Sequence, residues 1–167
     1  MTYCILNYRL PGAAWSLEFS ETAIGTLLGQ VQRSRSSKES VGQIFTRDLT
    51  ANPVVAEVAT VLTPTRAAWA RVTFSTDRAR SERESLFRGG LHCVGFWHTH
   101  PEPWPTPSAE DRRLAREHAL AAQPQLAGIV FVIVGTAPPP TGVRVWVDDG
   151  IDLHEALSED SCTVLAE

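Results

Sequence analysis

The sequence contains few cysteines and no closely spaced pair of them. Its three cysteines, Cys4, Cys93 and Cys162, are far apart in a chain of 167 residues, and none belongs to a Cys-x-x-Cys motif. Small secreted proteins that depend on disulfides carry many more cysteines, and zinc sites built from thiolates need closely spaced ones. The cysteine content therefore argues against a disulfide framework and against a zinc site with cysteine ligands.

Basic charge and long apolar runs are also scarce. The 15 Lys and Arg residues are outnumbered by 19 Asp and Glu residues, which gives a formal net charge of −4. General nucleic-acid binding needs a basic surface, so we expect no nucleic-acid partner. No apolar stretch approaches the ~20 residues of a transmembrane helix, and the N-terminus lacks the basic and then apolar pattern of a signal peptide. We therefore expect a cytoplasmic protein without membrane contact.

The length and residue pattern predict one domain that mixes strands and helices, since ~150 residues is typical of a domain. The predicted strands are Tyr3–Tyr8, Trp15–Phe19, Val41–Thr46, Val54–Leu62, Arg71–Ser75, Leu91–His98, Gly128–Val134 and Val143–Val147, with Trp15–Phe19 alternatively leading into the first helix. The unbroken apolar run Gly128–Val134 predicts a strand that is covered on both faces. The predicted helices run from a Ser20 cap to about Arg33, over Asp77–Arg88 and over Ser108–Ala122. This order predicts an α/β or α+β domain in residues 1–150, with a mixed β-sheet packed with helices. We interpret the acidic C-terminal segment that follows it, 151–167, as a solvated terminus, with a partner surface as the alternative.

One short stretch carries residues suited to metal chemistry. His98-Thr99-His100-Pro101 ends a predicted strand, and Ser108-Ala109-Glu110-Asp111 opens a predicted helix after a proline-rich loop. Residues i and i+2 of a strand point to the same face, so both imidazoles can converge on one ion. Ser108 is placed to cap the helix and Asp111 lies in its first turn. Two histidines and one carboxylate leave a fourth position for water, as in catalytic zinc sites.

Each part of this pattern also has a purely structural interpretation. Ser108-x-x-Asp111 is close to an ordinary capping box, and a lone His-x-His pair is usually incidental. The combination of both parts across one turn favours the metal site. Other candidates are weaker: His92 and His118 are expected to pack or to hydrogen-bond, because a three-ligand site is already complete. Strand parity places Cys93 and Trp97 on the face opposite to the histidine pair.

Trp104 lies in the proline-rich loop between these two parts. An aromatic residue in that position would flank a cleft at the metal site. We expect either packing against an extended substrate or simple anchoring of the loop.

The pattern His-Thr-His-Pro, six residues, then Ser-x-x-Asp resembles the signature of the JAMM (JAB/MPN+, Mov34) zinc metalloproteases. The resemblance implies an MPN/JAB-like, cytidine-deaminase-like domain that holds one Zn²⁺ through His98, His100 and Asp111. Members of the family also carry an upstream glutamate in a glycine-containing segment, and Glu39-Ser40-Val41-Gly42 stands where it would fall. Val41 and Thr46 replace glycines that are common there, so Glu57 is a second choice. The resemblance gives Glu39 the role of general base and Ser108 that of oxyanion donor.

The resemblance also implies a function and partners. It suggests a zinc-dependent isopeptidase or peptidase that cleaves the amide bond after the C-terminus of a ubiquitin-like or otherwise conjugated protein. Some stand-alone bacterial members of this type accompany activating and conjugating enzymes in antiphage systems, including those with cyclic-oligonucleotide synthases. Two alternatives stay open: processing of a sulfur-carrier protein at the same site, and a non-catalytic MPN scaffold that binds partners.

Overall fold

The protein is an α+β domain built on one large mixed sheet. The computed structural model describes residues 5–34, 36–63, 66–68, 71–73 and 76–159. Within them the strands are β1 (Leu6–Arg9), β2 (Leu17–Phe19), β3 (Val41–Thr46), β4 (Val54–Ala56), β5 (Val58–Ala59), β6 (Arg66–Ala68), β7 (Arg71–Thr73), β8 (His92–Thr99), β9 (Ile129–Val134), β10 (Val143–Asp148) and β11 (Leu153–Glu159). The helices are α1 (Glu21–Gly29), α2 (Thr76–Arg88) and α3 (Ala109–Ala122). This confirms the predicted fold class.

The large sheet contains nine of the described strands in the order β4-β2-β1-β11-β10-β9-β8-β3-β5. The pairs β2–β4 and β8–β9 are parallel and the other neighbours are antiparallel. The remaining two, β6 and β7, pair as a separate antiparallel hairpin. Since β8 and β9 are parallel, the chain must cross between them, and α3 is that crossover. The start of α3 is thereby brought close to the C-terminal end of β8.

Strand β9 shows why the sheet has helices on both faces. Its sequence is an unbroken apolar run, which is typical of a strand covered on both sides. Alternate residues of the run join different cores: Val130, Val132 and Val134 pack in the cluster that contains Leu27 of α1. Ile129, Phe131 and Ile133 pack with Ala115 and Ala119 of α3. The prediction of a doubly covered strand is confirmed.

Several predicted helix and strand ends differ from the structure. The first helix begins at its predicted cap, where the Ala23 N–H donates to Ser20 Oγ over 3.1 Å, but it ends at Gly29 rather than near Arg33. The predicted strand Val54–Leu62 is interrupted and forms β4 and β5. The predicted strands include one strand of the hairpin, β7, and lack its partner β6. Tyr3, Cys4 and Cys162 lie outside the described residues, as do residues 74–75 of the predicted strand Arg71–Ser75 and 160–167 of the acidic segment.

The C-terminal region supplies a strand that the sequence analysis missed. The prediction ends the strands at Val143–Val147, but β11 (Leu153–Glu159) follows and pairs with both β10 and β1. Ala156 is 7% exposed and belongs to the main core, whereas Leu157 is 56% exposed. A solvated tail is therefore wrong for residues 153–159, which lie in the middle of the sheet. The strand was not predicted because Glu155 and Glu159, which share the face of Leu157, make the segment acidic.

Close packing of β3 against its neighbours explains Gly42. A Cβ atom at this position would overlap the carbonyl oxygen of Thr60 and would lie 2.6 Å from the Trp97 indole nitrogen. That indole N–H donates to the same Thr60 carbonyl oxygen over 2.9 Å, and Trp97 packs in the main core, as its parity predicts.

No helix among the described residues is long and apolar enough to cross a membrane.

Candidate metal centre

His98 and His100 leave the C-terminal end of β8 toward the face that α3 covers. His98 is 7% exposed, and its ring packs on Phe131 with 5.2 Å between centroids. The backbone N–H of His100 donates to the Val134 carbonyl oxygen over 2.9 Å, which continues the pairing of β8 with β9 past the last residue of β8. The two Nε2 atoms lie 2.8 Å apart. The i, i+2 spacing therefore places both imidazoles at one point, as predicted.

Asp111 reaches the same point from the first turn of α3. Its Oδ1 lies 3.2 Å from His98 Nε2 and its Oδ2 lies 3.5 Å from His100 Nε2. The capping box is also present: the Asp111 N–H donates to Ser108 Oγ over 3.1 Å, and the Ser108 N–H donates to Asp111 Oδ2 over 2.7 Å. The two interpretations of Ser-x-x-Asp are thus compatible, because one carboxylate both caps the helix and faces the histidines.

The charges at this point depend on one another. Burial opposes ionisation of Asp111, but hydrogen bonds to His100 and His98 outweigh it and hold the pKa of Asp111 far below its usual value. Burial likewise opposes protonation of His100, but hydrogen bonding to Asp111 and its charge raise the pKa of His100 above its usual value. The site therefore holds a carboxylate anion that attracts positive charge.

Glu102 is a site residue that the sequence analysis missed. Its Oε2 lies 3.3 Å from His100 Nδ1, the ring nitrogen that does not face Asp111. A carboxylate at Nδ1 favours the tautomer with hydrogen on Nδ1 and leaves the Nε2 lone pair free to bind a metal. Carboxylates commonly support metal-binding histidines in this way, so an acidic residue two positions after His100 was a usable indication.

Glu39 is brought to the site by strand pairing. Val41, the first residue of β3, pairs with His98, so the residues before it run alongside Thr99 and His100. The Thr99 N–H donates to the Ser40 carbonyl oxygen over 3.0 Å, and the Ser40 N–H donates to Thr99 Oγ1 over 2.9 Å. These bonds hold the Glu39–Ser40 segment in place. Glu39 lines the same cleft as the histidines, and its charge contributes to the raised pKa of His100.

The residues of the site suit zinc. His98, His100 and Asp111 each offer one ligand atom, and these atoms all lie within 4.8 Å of one another. Two imidazole nitrogens and one carboxylate oxygen are a donor set that Zn²⁺ accepts, and three protein ligands leave one position open. An anionic carboxylate thus converges with the buried imidazole of His98 and the half-buried imidazole of His100, and Glu102 lies behind the second. This arrangement fits a catalytic rather than a structural zinc site.

The candidate centre opens into a cleft of about 690 Å³. Glu39 and Ser108 both line this cleft with the three candidate ligands. Ser108 Oγ accepts one hydrogen bond and, among the hydrogen bonds of the described residues, donates none, so its hydrogen is available to a bound molecule. The structure thus collects the predicted base, the predicted oxyanion donor and the candidate ligands around one space.

Trp104 is placed elsewhere. It is 67% exposed and lines a separate groove with residues of β10 and β11, such as Arg144 and Leu157. Two hydrogen bonds hold the loop there. Arg144 Nη1 donates to the Pro105 carbonyl oxygen over 2.9 Å, and the Thr136 N–H donates to the Glu102 carbonyl oxygen over 3.0 Å. The structure therefore does not bring Trp104 into the cleft with the histidines.

Three weaker candidates also take definite places. Glu57, the second choice for the base, pairs with Arg47 at 3.0 Å and is not among the residues that line the cleft. The His118 ring packs on Phe96 with 4.7 Å between centroids. Cys93 was predicted on the opposite face, which is wrong: a bulge in the β3–β8 pairing reverses its parity, and it lies beside Gln43 on the helix-covered face.

Fold and site together define a mixed α+β domain with a three-residue candidate metal centre at the end of a parallel strand pair. A family profile described as prokaryotic homologues of the JAB domain matches residues 23–148. The chain therefore belongs to the family of prokaryotic JAB-domain homologues. No curated protein matches the sequence.

Solved structures give the same fold. The solution structure of protein DSY2949 from Desulfitobacterium hafniense superposes with a TM-score of 0.57. The similarity covers 85% of this chain and 88% of that chain, at 17% sequence identity. At this identity the comparison supports the fold alone.

Proposed function

We propose that the protein is a zinc-dependent metallopeptidase that cleaves the amide bond after the C-terminus of a ubiquitin-like or otherwise conjugated protein. The observation that carries the proposal is the convergence of His98, His100 and Asp111 on one point, with Glu39 in the same cleft. JAB-domain proteins include both peptidases and scaffolds. A complete ligand set with a carboxylate beside it supports catalysis, because a scaffold has no need to keep these groups together.

The chain's own residues account for the remaining chemistry of amide hydrolysis. His98, His100 and Asp111 would hold Zn²⁺, which when bound acts as a Lewis acid and lowers the pKa of water toward ~7. Glu39 accepts the proton of the attacking water and passes it to the leaving amine. Ser108 Oγ–H donates to the carbonyl oxygen as negative charge develops there.

The substrate and setting belong to the same proposal. The family resemblance favours a cytoplasmic role beside activating and conjugating enzymes, in which the protein removes a conjugated protein from its target during antiphage defence. Processing of a sulfur-carrier protein would use the same residues on a different substrate. Incubating the zinc-loaded protein with C-terminal fusions of each substrate type separates the two.

The test compares three variants of the zinc-loaded protein. Glu39→Gln should keep one zinc per chain, measured by elemental analysis, and lose cleavage of a ubiquitin-like fusion. His100→Ala should lose the metal. Glu57→Gln is the matched control, because it removes a carboxylate from the same part of the chain but outside the cleft, and it should cleave normally. Full activity of Glu39→Gln would refute the role of Glu39 as general base. A wild-type protein that binds no zinc would favour the non-catalytic scaffold.

A further inference from the structure

A second cavity, of about 510 Å³, lies between α2 and α3 with β8 as its floor. We call it the α2–α3 groove. Phe87 contributes from α2, Ala122 from α3 and Cys93 from β8, while Leu126 and Ile129 line it beyond α3. Its volume lies within the roughly 300–1,000 Å³ of typical ligand sites. The mechanism proposed above uses no residue of this groove.

The groove is continuous with the cleft of the candidate metal centre. Arg83, Phe96, His118 and Ala121 line both spaces. The Arg83 guanidinium at this junction is oriented, because Nη1 donates to Gln43 Oε1 over 2.7 Å. A molecule held at the histidines can therefore extend into the groove without leaving the protein surface.

The floor of the groove offers side chains rather than backbone groups. Gly95 pairs with Ile44 of β3 on one side and Val130 of β9 on the other. Because both edges of β8 are paired from Gly95 to His98, a bound peptide cannot add to the sheet as a new strand along that part of the groove. Recognition there must therefore come from side chains, and most of the side chains that line the groove are apolar, although Arg83 and Glu84 also line it.

Phe87 supports the same conclusion. It is 62% exposed although α2 is otherwise rich in charged residues, and its ring contacts the His92 ring edge-on at 5.4 Å. An exposed aromatic residue at the mouth of an apolar cavity is a typical contact for a bound apolar group.

We propose that the α2–α3 groove binds a bulky apolar side chain of the substrate and so sets sequence specificity near the scissile bond. This inference rests on the proposed peptidase function. An extended peptide advances ~3.3 Å per residue, as β8 does. The groove lies over Phe96 and Cys93 of β8, which stand two and five positions before His98, so the apolar residue lies roughly two to five residues from the scissile bond.

The first experiment measures specificity. Quenched fluorescent peptides that carry Phe, Leu or Ala at each position around the cleaved bond are hydrolysed by the zinc-loaded protein. We expect kcat/KM to be roughly 10- to 100-fold higher with Phe or Leu than with Ala at one position in that range. Ala121→Trp, which fills the junction, and Phe87→Ala should reduce this ratio several-fold. Leu120→Ala, an exposed apolar residue of α3 outside both cavities, is the matched control and should keep it.

The second experiment measures binding without turnover. The zinc-loaded Glu39→Gln variant is titrated with matched Phe and Ala peptides, and backbone amide shifts are followed by NMR. Amide shifts at Cys93 and Ala122 that appear with the Phe peptide and not with the Ala peptide support the inference. They do so even if the wild-type protein cleaves nothing and the proposed function fails. Cleavage without an apolar preference, a preference that survives Ala121→Trp, or shifts confined to the histidine cleft would overturn the inference while leaving the peptidase proposal intact.

Discussion

Replacing Ser108 separates its two roles, helix cap and oxyanion donor. Ser108 Oγ accepts from the Asp111 N–H over 3.1 Å, while its own backbone N–H donates to Asp111 Oδ2 over 2.7 Å. Ser108→Ala removes the first bond and keeps the second. Loss of such a cap costs about 1 kcal/mol, which lowers Tm by roughly 2–4 °C in a protein of this size. Ser108→Asn should keep Tm nearly unchanged, because Asn caps helices as well as Ser does.

Activity should respond differently from stability. Ala supplies no hydrogen-bond donor in place of the Ser108 hydroxyl, so Ser108→Ala should lose cleavage by about 10²–10³-fold, the usual effect of losing one oxyanion donor. Asn carries an amide N–H that can donate, so Ser108→Asn should lose less. Both should bind zinc normally, since Ser108 is not among the candidate ligands. Thermal unfolding, elemental analysis and initial rates on one fusion substrate measure the three quantities. Cleavage by Ser108→Ala within a few-fold of wild type would refute the oxyanion role, and an unchanged Tm in the same variant would refute the cap.

Three further predictions concern metal binding and folding. Because neighbouring carboxylates raise the pKa of His100 in the metal-free protein, protons should already compete with zinc above the ordinary pKa of ~6.5. In a chelator competition the apparent zinc Kd should rise as the pH falls, and a Kd independent of pH from 6 to 8 would contradict this competition. Glu102→Gln should weaken zinc binding by up to about tenfold. Gly42→Ala should lower stability by at least ~1–3 kcal/mol in denaturant unfolding, since its methyl group overlaps a backbone carbonyl; a stability equal to wild type would show that β3 can shift. Ala156→Asp should unfold the protein while Leu157→Asp is tolerated, because only Ala156 is buried; circular dichroism separates the two, and equal effects would place β11 outside the core.

The predictable part of the site is the part that is local in sequence. Strand parity puts His98 and His100 on one face, and a serine three residues before an aspartate predicts the cap that Ser108 forms. Parity failed at Cys93, only a few residues earlier, because β8 has an extra residue, Val94, opposite the step from Ile44 to Phe45, and this bulge shifts the register. A bulge is a property of two paired strands, so one strand's sequence does not reveal it.

The residue pattern alone determined the mixed fold class, the doubly covered strand β9 and the grouping of His98, His100 and Asp111. Periodicity, capping and short loops depend on residues that are close in the chain, and these local features determined all three properties. Tertiary structure decided that β3 runs antiparallel to β8 and so carries Glu39 to His100, that acidic β11 joins the two halves of the sheet, and that Trp104 faces another groove. These arrangements come from pairing between distant segments, where burial of a whole sheet face outweighs the local preference of any one strand.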